Sequence, residues 1–454
     1  NLIDRVWADQ PPPPARPVTV HPDALAGRGS AEKRQALAAG LRDRGAAAVV
    51  LTLPDSIAWL LNIRGADIAR TPVPLGFALL HADARVELFL APGQITEAVA
   101  AHLGPEVTVL PPDGFLARLG SLSGRVEVDR ARVPVAVSDA LEAAKVEIVW
   151  AEDPCLLPKA AKTPAEIAGA RAAHLRDASA LATFLAWLDT EAPGGRLTEI
   201  EVVVRLEAIR TATGQLRDIA FETIAGAGPN GAIVHYRVNE ATNRGVAPGE
   251  LLLVDSGAQY ADGTTDVTRT VATGPAQAPA EAVRAFTLVV EGLSAMSRLR
   301  WPEGLAGSHL DAVARAALWQ AGLDYDHGTG HGVGAFLSVH EGPAGLSRRS
   351  VAPLVPGMIL SVEPGVYREG AWGIRVENLV VVTPAAVPEG GDRPMLGFET
   401  LTLAPIDRRL LQADLLTPAA RSWLDAYHAR VLAEVGPLVA PEVRAWLGRA
   451  CAPL

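Results

Sequence analysis

The chain has 454 residues, 49% hydrophobic and 20% charged, enough to bury a sizeable core in two or three domains. A net charge of −10 argues against a generic nucleic-acid-binding surface, and no apolar run reaches the length of a membrane span. The two cysteines, Cys155 and Cys451, are far apart and lack CxxC spacing, which disfavours a disulfide framework and a thiolate zinc site and makes a reducing, cytoplasmic setting the expectation. The first seven residues show none of the three parts of a signal peptide.

Residues 1 to about 22 include Pro11 to Pro14 and read as an extended, polyproline-like lead-in. The spacing of Ala31, Leu37 and Leu41 predicts a helix, 47–53 a short apolar strand, and Asp55 the start of a second helix. Strands are expected at 77–81, 86–90 and 126–129, with a helix over 139–144. The pattern breaks around 154–163. There Thr163-Pro164-Ala165-Glu166 forms a capping box with proline in the first helical turn, so a long helix is expected to about Thr190. A domain boundary is placed at this break, giving an α/β unit over 1–158 and a second unit over 159–454. From Thr198 onward helices alternate with glycine-punctuated strands, without a solenoid period.

The chemistry-bearing clusters all lie in the second unit. Apolar and β-branched runs around Asp262-Gly263 predict a β-hairpin carrying Asp255 and Asp266 on one face. If the two directly oppose each other, ten residues lie between them. Carboxylates that close repel unless a cation separates them; the competing reading is a pair of solvated turn residues. His327, His331 and His340 fall within fourteen residues of a chain that has ten histidines. The glycines of His327-Gly-Thr-Gly-His331-Gly-Val-Gly argue against a helical HxxxH site and for a loop or strand whose backbone a substrate approaches. A lone histidine there would more often be structural; three together favour metal or proton chemistry. Glu363 and Glu377 each sit in an apolar strand pattern, where an unpaired carboxylate is costly. A buried pair with Arg375 would account for Glu377 but not for Glu363, whereas a metal accounts for both. Two Asp, two Glu and one His make an oxygen-rich set for two ions, suited to Mn²⁺ before Co²⁺, Fe²⁺ or Zn²⁺.

These residues resemble the creatinase/prolidase/methionine aminopeptidase superfamily of pita-bread metallopeptidases. Within it, the His327–Gly334 run, Val339-His340-Glu341-Gly342-Pro343, Asp255-Ser-Gly-Ala-Gln-Tyr260 and Asn230-Gly-Ala-Ile-Val-His235-Tyr236 are most similar to eukaryotic-type aminopeptidase P. The resemblance implies a creatinase-like N-terminal α/β domain (1–158) before a pita-bread catalytic domain (159–454), with a C-terminal extension from about 400. It implies Asp266 and Glu377 bridging two divalent ions, Asp255 on one, and His331 and Glu363 on the other. A hydroxide bridging the ions would hydrolyse the bond between an N-terminal residue and proline. Glu363 would shuttle the proton, His235, His327 and His340 would hold substrate and intermediate, and Arg375 would orient the ligands. Small peptides with proline second are the expected partners, and a homodimer the expected assembly, although the helical spacing of Trp423, Tyr427, Val431 and Leu432 fits packing on its own domain equally well. The chain's start is similar to the entrance of a second domain in three-domain relatives, so a further N-terminal domain is expected to be absent from it. An Xaa-Pro dipeptidase is the neighbouring alternative, and an inactive peptide-binding module of the same fold the more distant one.

Overall fold

A computed structural model describes residues 2–91, 93–274 and 278–454; the first residue of the expected lead-in lies outside them. The chain divides into two compact units, Asn1–Lys159 and Ala160–Leu454. None of the described helices is long and apolar enough to cross a membrane.

The first unit is built on a mixed sheet. The continuous apolar run Ala48–Leu51 is buried throughout, as a strand covered on both faces must be, and it lies between Phe77–His81 (antiparallel) and Arg125–Val128 (parallel). Val86–Phe89 and Val107–Leu110 extend one side, and Glu147–Trp150 the other. The helices Ser30–Asp43, Pro54–Leu61 and Val135–Ala143 occupy the segments whose apolar spacing predicts them. The lead-in differs from expectation, because Leu2–Val6 forms a short helix before the prolines. The Glu147–Trp150 strand has no counterpart among the expected elements. It is an edge strand with no fully buried position, so it leaves no alternation to read.

The second unit opens with the helix Pro164–Glu191. Its capping box is complete: Thr163 Oγ1 accepts from the Glu166 amide at 3.2 Å, and Glu166 Oε2 accepts from the Thr163 amide at 2.8 Å. The strands Ile224–Ala227, Leu251–Tyr260 and Gly263–Ala272 form one antiparallel sheet, with Asp218–Ile219 on the end of the middle strand. A second sheet runs in the order Arg300–Trp301, Met395–Thr400, Asn378–Ala386, Ile359–Val362, Gly330–Gly332 and Glu341–Leu346. A short hairpin, Gly365–Arg368 with Trp372–Arg375, stands apart from both. The helix Pro418–Val435 buries Leu424, Tyr427, Val431 and Val435 in the core of this same unit.

The glycines around His331 serve strand packing. A Cβ on Gly330 would lie 1.9 Å from the Ser361 carbonyl oxygen, and one on Gly332 would lie 2.1 Å from that of Glu341. Neighbouring strands make this close approach, and it draws a three-residue strand into the sheet; Gly328 and Gly330 also line the same cavity as His331. Gly330→Ala is therefore expected to destabilise the second unit by about 1–3 kcal/mol, read as a lower unfolding midpoint. An unchanged midpoint would show that the strand yields at no cost.

Candidate active site

Four chain segments from the two sheets converge on one cavity. Asp255 and Asp266 come from the long hairpin, whose register pairs Asp255 with Thr268 and Gly257 with Asp266. The aspartates are thus diagonal neighbours on one face and do not oppose each other, and the tip consists of Ala261 and Asp262 alone. His331 is the middle residue of Gly330–Gly332. Glu363 directly follows Ile359–Val362, and Glu377 lies in the break between Trp372–Arg375 and Asn378–Ala386. Both glutamates therefore sit at strand ends, not inside strands. The apolar run read as one strand is two pieces that pair in different sheets.

Ligand-capable atoms of Asp266, His331 and Glu377 lie within 4.8 Å of one another. His331 Nε2 is 3.5 Å from Asp266 Oδ2 and 3.6 Å from Glu363 Oε1. Its Nδ1 lies 3.0 Å from the Gly332 carbonyl, so Nδ1 carries the donated proton and Nε2 faces the acids. Arg375 does not pair with Glu377. Its Nη2 donates to Asp255 Oδ2 at 2.6 Å, Nη1 to the Tyr367 hydroxyl at 2.9 Å, and Nε to Thr268 Oγ1 at 3.1 Å. Thr268 in turn donates to Glu377 Oε2 at 2.7 Å. Ser361 Oγ accepts from the His331 amide and donates to Glu363 Oε1, both at 3.0 Å. One guanidinium and two hydroxyls thus fix three of the four carboxylates.

Electrostatics in this cluster are dominated by burial. Desolvation, reinforced by the charges of Asp266, Glu363 and Asp255, pushes the Glu377 carboxyl well above its usual range. Burial raises Asp266 to about 7, with the His331 hydrogen bond opposing and the Asp255 charge adding to the shift. Asp255 is also raised by burial, which the Arg375 charge only partly offsets. Glu363 goes the other way: burial would raise it, but His331, His327 and Arg375 together hold it below the ordinary glutamate value. Burial lowers His331, yet its hydrogen bond to Asp266 and the Glu363 charge lift it to about 9. Such a cluster stays together only with protons or a cation among its charges. Asp255 Oδ1 has no hydrogen-bond partner, and this unsatisfied buried acceptor beside an acid–imidazole set fits a hard divalent ion.

The remaining histidines surround the cluster. His327 Nδ1 lies 2.8 Å from the Gly328 carbonyl, and Nε2 accepts from the Tyr367 hydroxyl at 2.8 Å; burial lowers its pKa and keeps the ring neutral. His340 stacks edge-on to His331 at 4.1 Å between centroids, and burial, aided by the His331 charge, lowers it to about 4. His235 is exposed and faces the same space. The structure brings His235, Asp255, Asp266, His327, His331, His340, Glu363, Arg375 and Glu377 to one cavity of about 430 Å³, with Phe221, Ile224 and Val234 as an apolar wall. Sequence reasoning missed Thr268, Ser361 and Tyr367. Thr268 was within reach, two residues from Asp266 and hence on the same strand face. Nothing in the local pattern marks Tyr367.

The converging strands and the acid–imidazole cluster make a candidate metal centre, and comparison with known proteins makes it that of a metallopeptidase. Residues 168–384 match the model of metallopeptidase family M24, 9–166 that of the creatinase/prolidase N-terminal domain, and 394–454 that of the C-terminal region of peptidase M24. The chain is 40% identical to the "Probable Xaa-Pro aminopeptidase P" of Neosartorya fischeri, an alignment covering 100% of this chain and 72% of that protein. It is 38% identical to "Aminopeptidase P2" of Arabidopsis thaliana, over 100% of this chain and 69% of the other. The crystal structure of a Caenorhabditis elegans X-prolyl aminopeptidase, described as a cytosolic enzyme with a di-nuclear active site, superposes with a TM-score of 0.94 at 34% identity, covering 100% of this chain and 75% of that one. The chain belongs to metallopeptidase family M24, in its aminopeptidase P branch, with a creatinase-type α/β domain ahead of the pita-bread domain.

If the buried acids are held together by cations, saturating Mn²⁺ must stabilise the folded chain. At a hundred times the dissociation constant the gain is about 2.7 kcal/mol, visible as a raised unfolding midpoint that Asp266→Ala abolishes. A wild-type midpoint indifferent to every divalent ion would contradict this.

Proposed function

We propose that the chain is a metal-dependent aminopeptidase that removes an N-terminal residue preceding proline, and that its two divalent ions are Mn²⁺ by preference. The observation that carries this is the cluster of Asp266, His331 and Glu377, with Asp255 and Glu363 on its two flanks, in a chain of the aminopeptidase P branch. When bound, such ions polarise the scissile carbonyl and lower the pKa of water enough to make it a nucleophile at neutral pH. Asp266, His331 and Glu377, with Asp255 and Glu363, are the residues that would hold the two ions.

Glu363 is the proton carrier. His331 and Arg375, with the Ser361 hydrogen bond, keep it ionised, so it can take a proton from the attacking water and pass it to the departing proline nitrogen. His340, held neutral by burial, offers a ring donor or acceptor to the substrate carbonyl and to the oxygen that becomes charged as it is attacked, and the neutral His327, engaged by the Gly328 carbonyl and the Tyr367 hydroxyl, joins it by exchanging the Tyr367 bond for one to substrate. His235 and the wall of Phe221, Ile224 and Val234 receive the proline ring. A bond to proline is a tertiary amide without N–H, so shape and apolar contact must replace the hydrogen bond other peptidases use. The oxygen-rich ligand set supports Mn²⁺ over thiophilic metals. The two buried free cysteines and the cytosolic C. elegans relative support a cytoplasmic setting. Residues 1–158 we read as a domain for access or assembly and 159–454 as the catalytic domain. The homodimer stays part of this reading, with the apolar face of the Pro418–Val435 helix already used inside its own unit.

The test is release of free arginine from an Arg-Pro-Pro tripeptide by metal-stripped protein, with Mn²⁺, Co²⁺ or Zn²⁺ added back separately and Asp266→Ala as control. The expected result is metal-dependent release, highest with Mn²⁺ and lost in the variant. Turnover confined to Xaa-Pro dipeptides would replace this reading with a dipeptidase, and no turnover with both sites filled would overturn it.

A further inference from the structure

Outside the metal cluster, one buried carboxylate gathers an entire loop. Glu199 is the first residue of the helix Glu199–Ala212 and is fully buried. It has no part in capping that helix, because the box is made by Thr198 and Glu201. Its two oxygens instead accept from the last residue of the Ile224–Ala227 strand and from three residues of the segment that follows it. Oε1 takes the Ala227 amide at 2.7 Å and Asn230 Nδ2 at 3.0 Å. Oε2 takes Asn230 Nδ2 at 3.0 Å, the Tyr236 hydroxyl at 2.9 Å and the Arg244 amide at 3.2 Å.

The two amides bracket the segment, and the two side chains come from within it. Between them stands His235, whose neighbours Ile233 and Arg237 are exposed. Backbone hydrogen bonds next to His235 are short-range, Ile233 to Asn230 and Tyr236 to Ile233, and set local turns; the Glu199 amide to the Arg244 carbonyl at 3.1 Å holds only the far end of the loop. Several contacts fix it instead: Gly231 packs on Gly373, where a Cβ on Gly373 would fall 1.7 Å from the Gly231 carbonyl oxygen, the Tyr236 ring is buried against Ile224 and Leu253, Arg237 pairs with Glu222 at 3.2 Å and Asn243 Oδ1 accepts from the Ile200 amide at 3.1 Å. Glu199 is the one group among these that gathers donors from both ends and the middle of the loop. A carboxylate is the group suited to this place, since it accepts at both oxygens and sits at a helix N-terminus, where negative charge is favoured. A glutamine of the same shape would turn an amide NH₂ toward at least one of these donors.

We infer that Glu199 is a positioning residue for His235, fixing the loop so that the imidazole stands over the cavity in the free enzyme. This rests on the reading of His235 as a substrate-binding group. It predicts that loss of the clamp acts on the reaction only through His235.

The experiment is a double-mutant cycle on the tripeptide with the metal-loaded full chain: wild type, Glu199→Gln, His235→Ala and both together, with KM and kcat measured separately. Glu199→Gln is expected to lower kcat/KM by roughly tenfold, chiefly through KM. In the His235→Ala background the same change is expected to cost less than about twofold. Proteolytic cleavage between 228 and 243 should rise in Glu199→Gln, with metal content unchanged. Tyr236→Phe, which removes a single donor and leaves the carboxylate in place, should follow the same non-additive pattern with a smaller effect and serves if Glu199→Gln does not fold. Equal losses in both backgrounds, or no loss in either, would overturn the positioning role alone. A His235→Ala variant with wild-type kinetics would overturn it together with the role assigned to His235.

Discussion

Asp255, Asp266, Glu363 and Glu377 share one largely desolvated cavity, and the repulsion among them is the constraint on which the rest of the second unit depends. In water these four carboxylates would repel weakly; out of it the same charges push Asp266 and Glu377 toward protonation. The fold holds them there because three of the four are tied from behind and Asp266 faces His331 at 3.5 Å. Arg375, Thr268 and Ser361 each touch a different acid, and each lies within two residues of an acid along the chain. Two of these bonds cross between chain segments and one is local, so the packing of strands sets where the acids stand.

The same restraint extends outward. Arg315, on the helix Gly307–Gln320, donates to the carbonyls of Tyr325 and His327 and pairs with Asp311, which also accepts from Thr329, so the segment leading into His331 is pinned to that helix. Arg269 also donates to the Glu377 carbonyl, to Asn378 and to the Tyr427 hydroxyl of the helix Pro418–Val435. Tyr427 also accepts from the Ala404 amide. The C-terminal region thereby buttresses the backbone of one candidate ligand. With Glu199 gathering the His235 loop, each flexible-looking part of the site is anchored on a helix or on buried polar chemistry, which is the preorganisation a hydrolytic centre needs.

How much of this was legible in the sequence depends on whether the signal is local. The capping box at Thr163, the hairpin around Asp262-Gly263 and the buried strand at Ala48–Leu51 are written within a few residues, and the structure has all three. The acids were legible as charges interrupting apolar runs. Their placement was not, because the run containing Arg375 and Glu377 splits between two sheets, and long-range pairing decides where it breaks. For the same reason a period-two argument put Arg375 beside Glu377, when its partner is Asp255, 120 residues away in sequence. The glycines around His331 announced a close approach without saying what approaches. Tyr367 and Glu199 were silent: an ordinary tyrosine in a short strand and an ordinary acid at a helix start reveal their roles only through partners elsewhere in the chain.

The central claim is that protons stand in for cations among these buried acids. It is tested most directly by titrating metal-stripped protein with Mn²⁺ calorimetrically near neutral pH, in two buffers of different ionisation enthalpy. Because burial raises Asp266 to about 7 and Glu377 well above its usual range, and His331, against the lowering effect of burial, is lifted to about 9 by the Asp266 hydrogen bond and the Glu363 charge, protons sit among these groups where cations would displace them. The account predicts two equivalents bound per chain with net proton release. A single equivalent, or binding whose heat is the same in both buffers, would contradict it.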